Sequence, residues 1–149
     1  MLRVNYGQVA PDAIKAMAQV RAYTDKASIE PRLRALVELR VSQINGCVYC
    51  IDMHSREARH TGETQQRLDC LPAWHEAAFF SERERAALEW AETVTEVGRT
   101  RVPDDVFARA RGQFGEKELV DLTVIVGMMN AWNRIAISFR QSPVEKRVE

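Results

Sequence analysis

The sequence predicts a single all-α domain of six or seven helices. Apolar residues recur at spacings of three and four along most of the 149 residues, and this spacing places them on one face of a helix. Glycine (7) and proline (5) are sparse, and there is little sign of the alternating pattern of strands. A chain of this length can bury one core but not two full ones. We therefore expect residues 1–149 to form one domain.

Four helices are predicted in the first half of the chain, over residues 11–23, 31–44, 47–60 and 64–73. The first has Pro11 in its opening turn, where the missing amide hydrogen is not needed. The second is followed by Asn45 and Gly46, residues that tolerate the left-handed backbone of a helix end. Cys47 therefore lies just past one helix end, and Cys47 and Cys50 lie in the first turn of the next helix.

Three helices are predicted in the second half, over residues 81–96, 103–112 and 116–140. Ser81 and Glu84 have the spacing of a capping box, which marks a helix start. The last helix is apolar nearly all round, most densely between Leu119 and Met129. One buried side cannot cover such a helix. We expect it to be the central core helix or a subunit interface, so that the protein oligomerises through helices.

The charge balance excludes two classes of partner. Lys and Arg together number 21, as do Asp and Glu, so the surface carries no net field to hold a polyanion. We expect neither nucleic acid nor an anionic membrane as a partner. The chain has no apolar run of about 18 residues and no basic start followed by an apolar run, as in a signal peptide. We therefore expect a cytoplasmic protein.

The candidate chemistry is concentrated in Cys47, Cys50 and His54. At 3.6 residues per turn, positions i, i+3 and i+7 lie along one side of a helix. A helix N-terminus favours the reactive thiolate, and His54 can take the proton from Cys50. Thiolate attack on a peroxide gives a sulfenic acid, which a neighbouring thiol converts to a disulfide. Cys47 is placed to supply that thiol, and Glu38 is the nearest carboxylate that could orient His54.

Other interpretations of these residues are open. His60 and His75 could complete a zinc site with the two cysteines, since zinc prefers four such ligands in a tetrahedron. The pair could instead report redox state within an oligomer. A third possibility is a different small-molecule activity in a pocket near Tyr49 and Trp132. Attachment of a c-type haem is excluded, because residue 51 is Ile where that motif needs His.

A resemblance to a known family is carried by residues 36–54, LVELRVSQINGCVYCIDMH. This run resembles the AhpD-like alkylhydroperoxidase branch of the carboxymuconolactone decarboxylase family. Weaker likeness extends through residues 80–90 and 130–134. The decarboxylase members of the family lack the cysteine pair, so its presence here argues against decarboxylation of a lactone.

The resemblance implies an all-helical homo-oligomer, commonly a trimer or hexamer, that acts in antioxidant defence. It implies reduction of a hydroperoxide substrate by thiols, with no metal, flavin, haem or other cofactor. Carried onto this chain, Cys50 is the peroxidatic residue, Cys47 resolves it and His54 is the relay base. A separate dithiol or thioredoxin-like reductant then restores the pair.

Two positions depart from the best-known alkylhydroperoxidases. Their relay glutamate stands where this chain has Ala35, and a second histidine stands between the cysteines, where this chain has Tyr49. Glu38 lies one turn after Ala35 on the same predicted helix. We therefore expect Glu38 to replace the family's glutamate beside His54.

Overall fold

In the computed structural model, which describes residues 1–145, every regular element is helical. The α-helices are α1 Tyr6–Val9, α2 Pro11–Thr24, α3 Pro31–Asn45, α4 Val48–His60, α5 Gln65–Cys70, α6 Glu82–Thr95, α7 Val97–Thr100, α8 Asp104–Gln113 and α9 Glu116–Ser138. A 3₁₀-helix, Leu71–Glu76, follows α5. The predicted all-α class is confirmed. The two helices that the sequence did not predict, α1 and α7, are single turns and too short to show a periodic pattern.

The central helix is α3, which packs against α4, α6 and α9. Its buried side chains face two separate apolar clusters. Val37 and Val41 belong to the larger cluster, which is shared with α6, α8 and α9. Leu36 and Leu39 belong to the smaller one, which is closed by α5 and the 3₁₀-helix. Residues three or four apart share one face of a helix, whereas residues one or two apart point in different directions, so α3 holds the two clusters together.

The last helix, α9, buries one side only. Leu122 and Val126 are fully buried, whereas Val120 and Ile137 are exposed. The prediction of a subunit interface on this helix concerns that exposed side. No helix within residues 1–145 is both long and apolar enough to cross a membrane.

The helix ends follow the signals in the sequence, with two differences. The helix predicted over residues 64–73 is α-helical only to Cys70 and continues as the 3₁₀-helix. The capping box of Ser81 and Glu84 is present at the start of α6. The prediction that α9 runs to residue 140 is wrong, because the helix ends at Ser138. Arg140 takes a left-handed backbone (φ 55°), and the amide of Gln141 donates to the carbonyl of Ala136. This pattern closes a helix end.

A partly buried network of amides joins three helices beside the cysteine segment. Asn45 donates to the side-chain oxygens of Asn130 (3.0 Å) and Asn133 (2.9 Å). Asn133 donates to Ser42 Oγ at 3.2 Å, and Asn130 donates to Thr95 Oγ1 at 3.1 Å. Buried amides need such partners. The network therefore fixes the end of α3, directly before Cys47, against α6 and α9.

Candidate active site

The position of the cysteine pair follows from the junction between α3 and α4. Gly46 takes a left-handed backbone (φ 69°), and the amide of Cys47 donates to the carbonyl of Ser42 at 3.0 Å, which together end α3. Cys47 is at the same time the N-cap of α4, and its Sγ accepts from the amide of Cys50 at 3.4 Å. One turn therefore places both sulfurs at the N-terminus of α4.

Cys47 and Cys50 form a disulfide, with their Cα atoms 5.3 Å apart. The residues are only 1% and 2% exposed. Cys70 is a free, half-buried cysteine on α5. The chemistry of the pair is thus shielded from bulk solvent.

His54 lies one turn beyond Cys50, and Cys50, His54 and Ala58 are the buried residues of α4. The Nδ1 atom of His54 lies 2.7 Å from Glu57 Oε2 and 3.5 Å from Glu38 Oε2. The Nε2 atom is buried and has no hydrogen-bond partner within residues 1–145. The two carboxylates thus hold the ring at Nδ1, and Nε2 is the nitrogen that can exchange a proton with a partner.

Glu38 lies in α3, and its side chain is buried near His54. It is therefore not a surface charge. Its Oε1 atom accepts from Arg21 at 3.0 Å, and Arg34 Nε lies 3.9 Å from Oε2. Burial raises the pKa of Glu38 more than the nearby His54 and arginines lower it. The structure thus brings all four predicted residues, Cys47, Cys50, His54 and Glu38, into one region of the protein.

Two further residues of this cluster were not predicted from the sequence. Glu57 accepts the closest hydrogen bond of His54, and this bond lowers the pKa of Glu57. Its spacing of three residues from His54 on one helix was a usable signal. Arg21 bonds to Glu38 and lies 3.7 Å from Glu57 Oε1. It comes from α2, and no pattern in the sequence connects it to the motif.

A cavity of about 490 Å³ opens beside the cysteine pair. Cys50, Tyr49 and the His54 cluster lie at one side of it, and its other walls are mainly apolar side chains of α2, α4 and α9, among them Ile14, Ala18, Met53, Met128, Met129 and Trp132. Cavities of this size, apolar with a few polar groups, are typical small-molecule sites. The predicted pocket near Tyr49 and Trp132 is therefore present, and it adjoins the cysteines.

The zinc site considered from the sequence does not form. His60 is exposed at the end of α4, and His75 lies beside Glu92, 3.7 Å from its carboxylate. Among residues 1–145, the only His, Cys, Asp or Glu groups whose ligand atoms converge are Glu38, His54 and Glu57, within 4.8 Å of one another. Arg21 already supplies a positive charge to both carboxylates. A cation would have to displace that guanidinium.

Comparisons with known proteins identify the family of this chain. Residues 11–93 match the model of the carboxymuconolactone decarboxylase family. An uncharacterized protein of Bacillus subtilis, YdfG, is 44% identical over 97% of this chain and 98% of its own length. The crystal structure of ATU0492 from Agrobacterium tumefaciens, a protein of unknown function with a suggested assignment as the antioxidant defence protein AhpD, shares 42% identity. It superposes with a TM-score of 0.94 and covers 97% of this chain and all of its own.

A more distant structure shows the breadth of the fold. The debrominase Bmp8 in complex with 2,3,4-tribromopyrrole has a TM-score of 0.78 at 19% identity, over 93% of this chain and 73% of its own. That likeness concerns the fold alone. With the match over residues 11–93 and the 44% identical relative, the chain belongs to the carboxymuconolactone decarboxylase family, in its AhpD-like branch.

Proposed function

We propose that this protein is a thiol-dependent peroxidase that reduces organic hydroperoxides at Cys50. The observation that carries the proposal is the cysteine pair at the N-terminus of α4, next to an apolar cavity and to a buried histidine whose Nε2 has no hydrogen-bond partner among residues 1–145. A helix N-terminus stabilises a thiolate. A histidine one turn further on can remove the thiol proton. The chain thus has a nucleophile, a base and a resolving thiol in one place.

The proposed reaction has two chemical steps before reduction. The Cys50 thiolate attacks the terminal oxygen of the hydroperoxide, the O–O bond breaks, and Cys50 becomes a sulfenic acid. The alkoxide takes the proton held by His54 and leaves as an alcohol. Cys47 then condenses with the sulfenic acid, which forms the S–S bond and releases water. The two thiols supply both electrons of the reduction.

The cavity supports an organic substrate over hydrogen peroxide. A volume of about 490 Å³ exceeds what a molecule the size of hydrogen peroxide fills, since a water molecule occupies about 30 Å³ in the liquid. Apolar walls favour an apolar substrate body, because its burial releases water from both surfaces. We propose that the substrate carries an alkyl or aromatic group that fills the space between α2 and α9.

A reductant and an assembly complete the proposal. Thiol–disulfide exchange with a dithiol or thioredoxin-like partner returns Cys47 and Cys50 to thiols. We propose a homo-oligomer, a trimer or hexamer, as the functional unit, and the exposed side of α9 offers Val120 and Ile137 for such contacts. Sedimentation of the 17.0 kDa chain measures this directly, and a purely monomeric protein would contradict it.

Titration of free thiols tests the enzymatic proposal. Reduced wild type, given one equivalent of cumene hydroperoxide, is expected to lose two thiols per peroxide and to turn over only when dithiothreitol is present. Cys50→Ser should consume peroxide at least about 10³-fold more slowly, since it lacks the nucleophile. Cys70→Ser, which also removes one thiol, is the matched control and should behave as wild type. If Cys50→Ser keeps its rate, or wild-type thiols survive the peroxide, the proposal is wrong.

A further inference from the structure

We infer that Glu57, and not Glu38, is the residue that positions His54 for proton transfer. The inference rests on the proposed function and names how its base is held. Glu57 accepts the hydrogen on Nδ1, so that Nε2 is the nitrogen that takes the proton of the Cys50 thiol. Glu38 instead pairs through its Oε1 atom with Arg21. This assignment moves the orienting carboxylate from α3 to α4.

The distances separate the two carboxylates. The Nδ1 atom of His54 lies 2.7 Å from the nearer oxygen of Glu57, a short charge-assisted hydrogen bond. The corresponding distance to Glu38 is 3.5 Å, beyond a good N–H···O bond. The Oε1 atom of Glu38 instead accepts from Arg21 at 3.0 Å. Each carboxylate therefore has a different first partner.

The protonation preferences of the two acids support the same division. The hydrogen bond from His54 lowers the pKa of Glu57, whereas burial raises the pKa of Glu38. An ionised carboxylate can only accept hydrogen bonds. Nδ1 must then carry the hydrogen in its bond to Glu57. In a neutral ring this leaves the lone pair on Nε2, the atom that is buried without a partner.

Within residues 1–145, the carboxylates that contact the His54 ring are Glu57 from its own helix and Glu38 from α3. The cations of the cluster, Arg21 from α2 and Arg34 from α3, contact Glu38. From α9 the cavity wall is built of Ile125, Met128, Met129, Trp132 and Ala136. The side chain of Glu57 is 40% exposed and that of Glu38 is 6% exposed. Glu57 is thus the more exposed of the two carboxylates.

The experiment measures the reactivity of Cys50 without any peroxide, so it does not depend on the peroxidase activity. Reduced protein in a Cys70→Ser background is alkylated with iodoacetamide at pH 7, and peptide mass spectrometry reports the rate at Cys50. Glu57→Ala should slow alkylation at least about tenfold, a small part of what an orienting acid contributes beside a histidine base. Glu57→Gln keeps an acceptor without the charge, so its rate should lie between those of Glu57→Ala and wild type.

Two matched variants decide between the carboxylates. Glu38→Gln removes the other acid of the cluster, and Asp52→Asn removes a charge from α4 whose ion pair, among the described residues, is with Arg56. Both should change the rate less than threefold. Nitrogen NMR of ¹⁵N-histidine protein should show His54 protonated at Nδ1 in wild type and in Glu38→Gln. Equal or greater slowing in Glu38→Gln than in Glu57→Ala, a wild-type rate in both Glu57 variants, or a His54 ring with a proton on Nε2 and none on Nδ1 would overturn the inference.

Discussion

Single side chains in this protein are held by partners that are distant in sequence, and Asp121 is an example. It lies in α9 with a buried side chain, and it accepts from Tyr23 at 2.6 Å, from Ser28 Oγ at 2.9 Å and from Lys117 at 2.7 Å. These bonds fasten the end of α2 and the following loop to α9. Because α2 forms one wall of the cavity, this carboxylate helps to hold the site closed on that side.

The ionisation of Asp121 should make stability depend on pH in acid. Burial by itself raises the pKa of Asp121, but the hydrogen bonds from Lys117, Tyr23 and Ser28 lower it far below its usual range. Its contribution is therefore complete above the unfolded-state pKa of about 3.9 and is lost as the pH falls below that value. Urea unfolding of Asp121→Asn at pH 7 should show a loss of about 2 kcal/mol.

The pH series provides the control for Asp121. The difference between wild type and Asp121→Asn should shrink as the pH is lowered from 5 to 2, because unfolded wild type takes up a proton at Asp121 in this range while the native state still holds the carboxylate ionised. Asp12, an exposed acid in the first turn of α2, offers a matched variant, Asp12→Asn, with little effect at either pH. A constant difference across the series would contradict the assigned role of the charge.

At the scale of elements, the junction of α3 and α4 determines where the sulfurs lie. Within residues 45–48, α3 ends at Asn45, Gly46 takes a left-handed backbone, and Cys47 caps the start of α4. Gly46 is favoured there by its positive φ. A Cβ at this position would meet no atom of the described residues within 4 Å. The constraint is therefore one of backbone strain and not of space.

A pair of glycine substitutions tests this distinction. Gly46→Ala should destabilise the protein by about 1 kcal/mol, since a left-handed backbone is strained for any residue with a Cβ. Gly127→Ala, in the middle of α9 and also without neighbours within 4 Å, should stabilise it by up to about 1 kcal/mol. Thermal and urea unfolding measure both. Changes of the same sign in the two variants would contradict the assignment of backbone strain to position 46 and helix propensity to position 127.

At the scale of the whole molecule, asparagine side chains connect α3, α6 and α9 through hydrogen bonds. Asn45, Asn130 and Asn133 bond to one another and to side chains of α3 and α6. Amide networks of this kind are costly when incomplete, because each buried donor without a partner loses its bonds to water. The network therefore favours one relative placement of α3, α6 and α9.

Asn133→Ala should lower the free energy of unfolding by about 2 to 3 kcal/mol, because it removes two buried hydrogen bonds and leaves a small void. Asn133 is fully buried. Arg134→Ala removes the exposed neighbouring side chain, which contacts Asn130, and should change stability by no more than about 0.5 kcal/mol. Urea unfolding at one protein concentration compares them. Equal losses would contradict the assigned role of the network.

The sequence by itself determined the helical class, the starts of the longer helices and most of their ends, and the motif of Cys47, Cys50 and His54. These features depend on local rules: periodic burial, capping residues, and backbone preferences of glycine and proline. The family resemblance pointed to the same motif, and the family match confirmed the membership. The roles of the individual site residues stay predictions.

Only the tertiary structure decided which residues complete the cluster and which helix is central. Arg21 reaches Glu38 from another helix, 17 residues away, and no local pattern encodes such a contact. From its high apolar content, the sequence predicted that α9 is either the central core helix or a subunit interface, whereas in the structure α3 is buried on more sides. Burial depends on what packs around a helix as well as on its composition. The preference of His54 for Glu57 over Glu38 likewise follows from a difference of 0.8 Å between 3.5 and 2.7 Å, which packing in three dimensions sets.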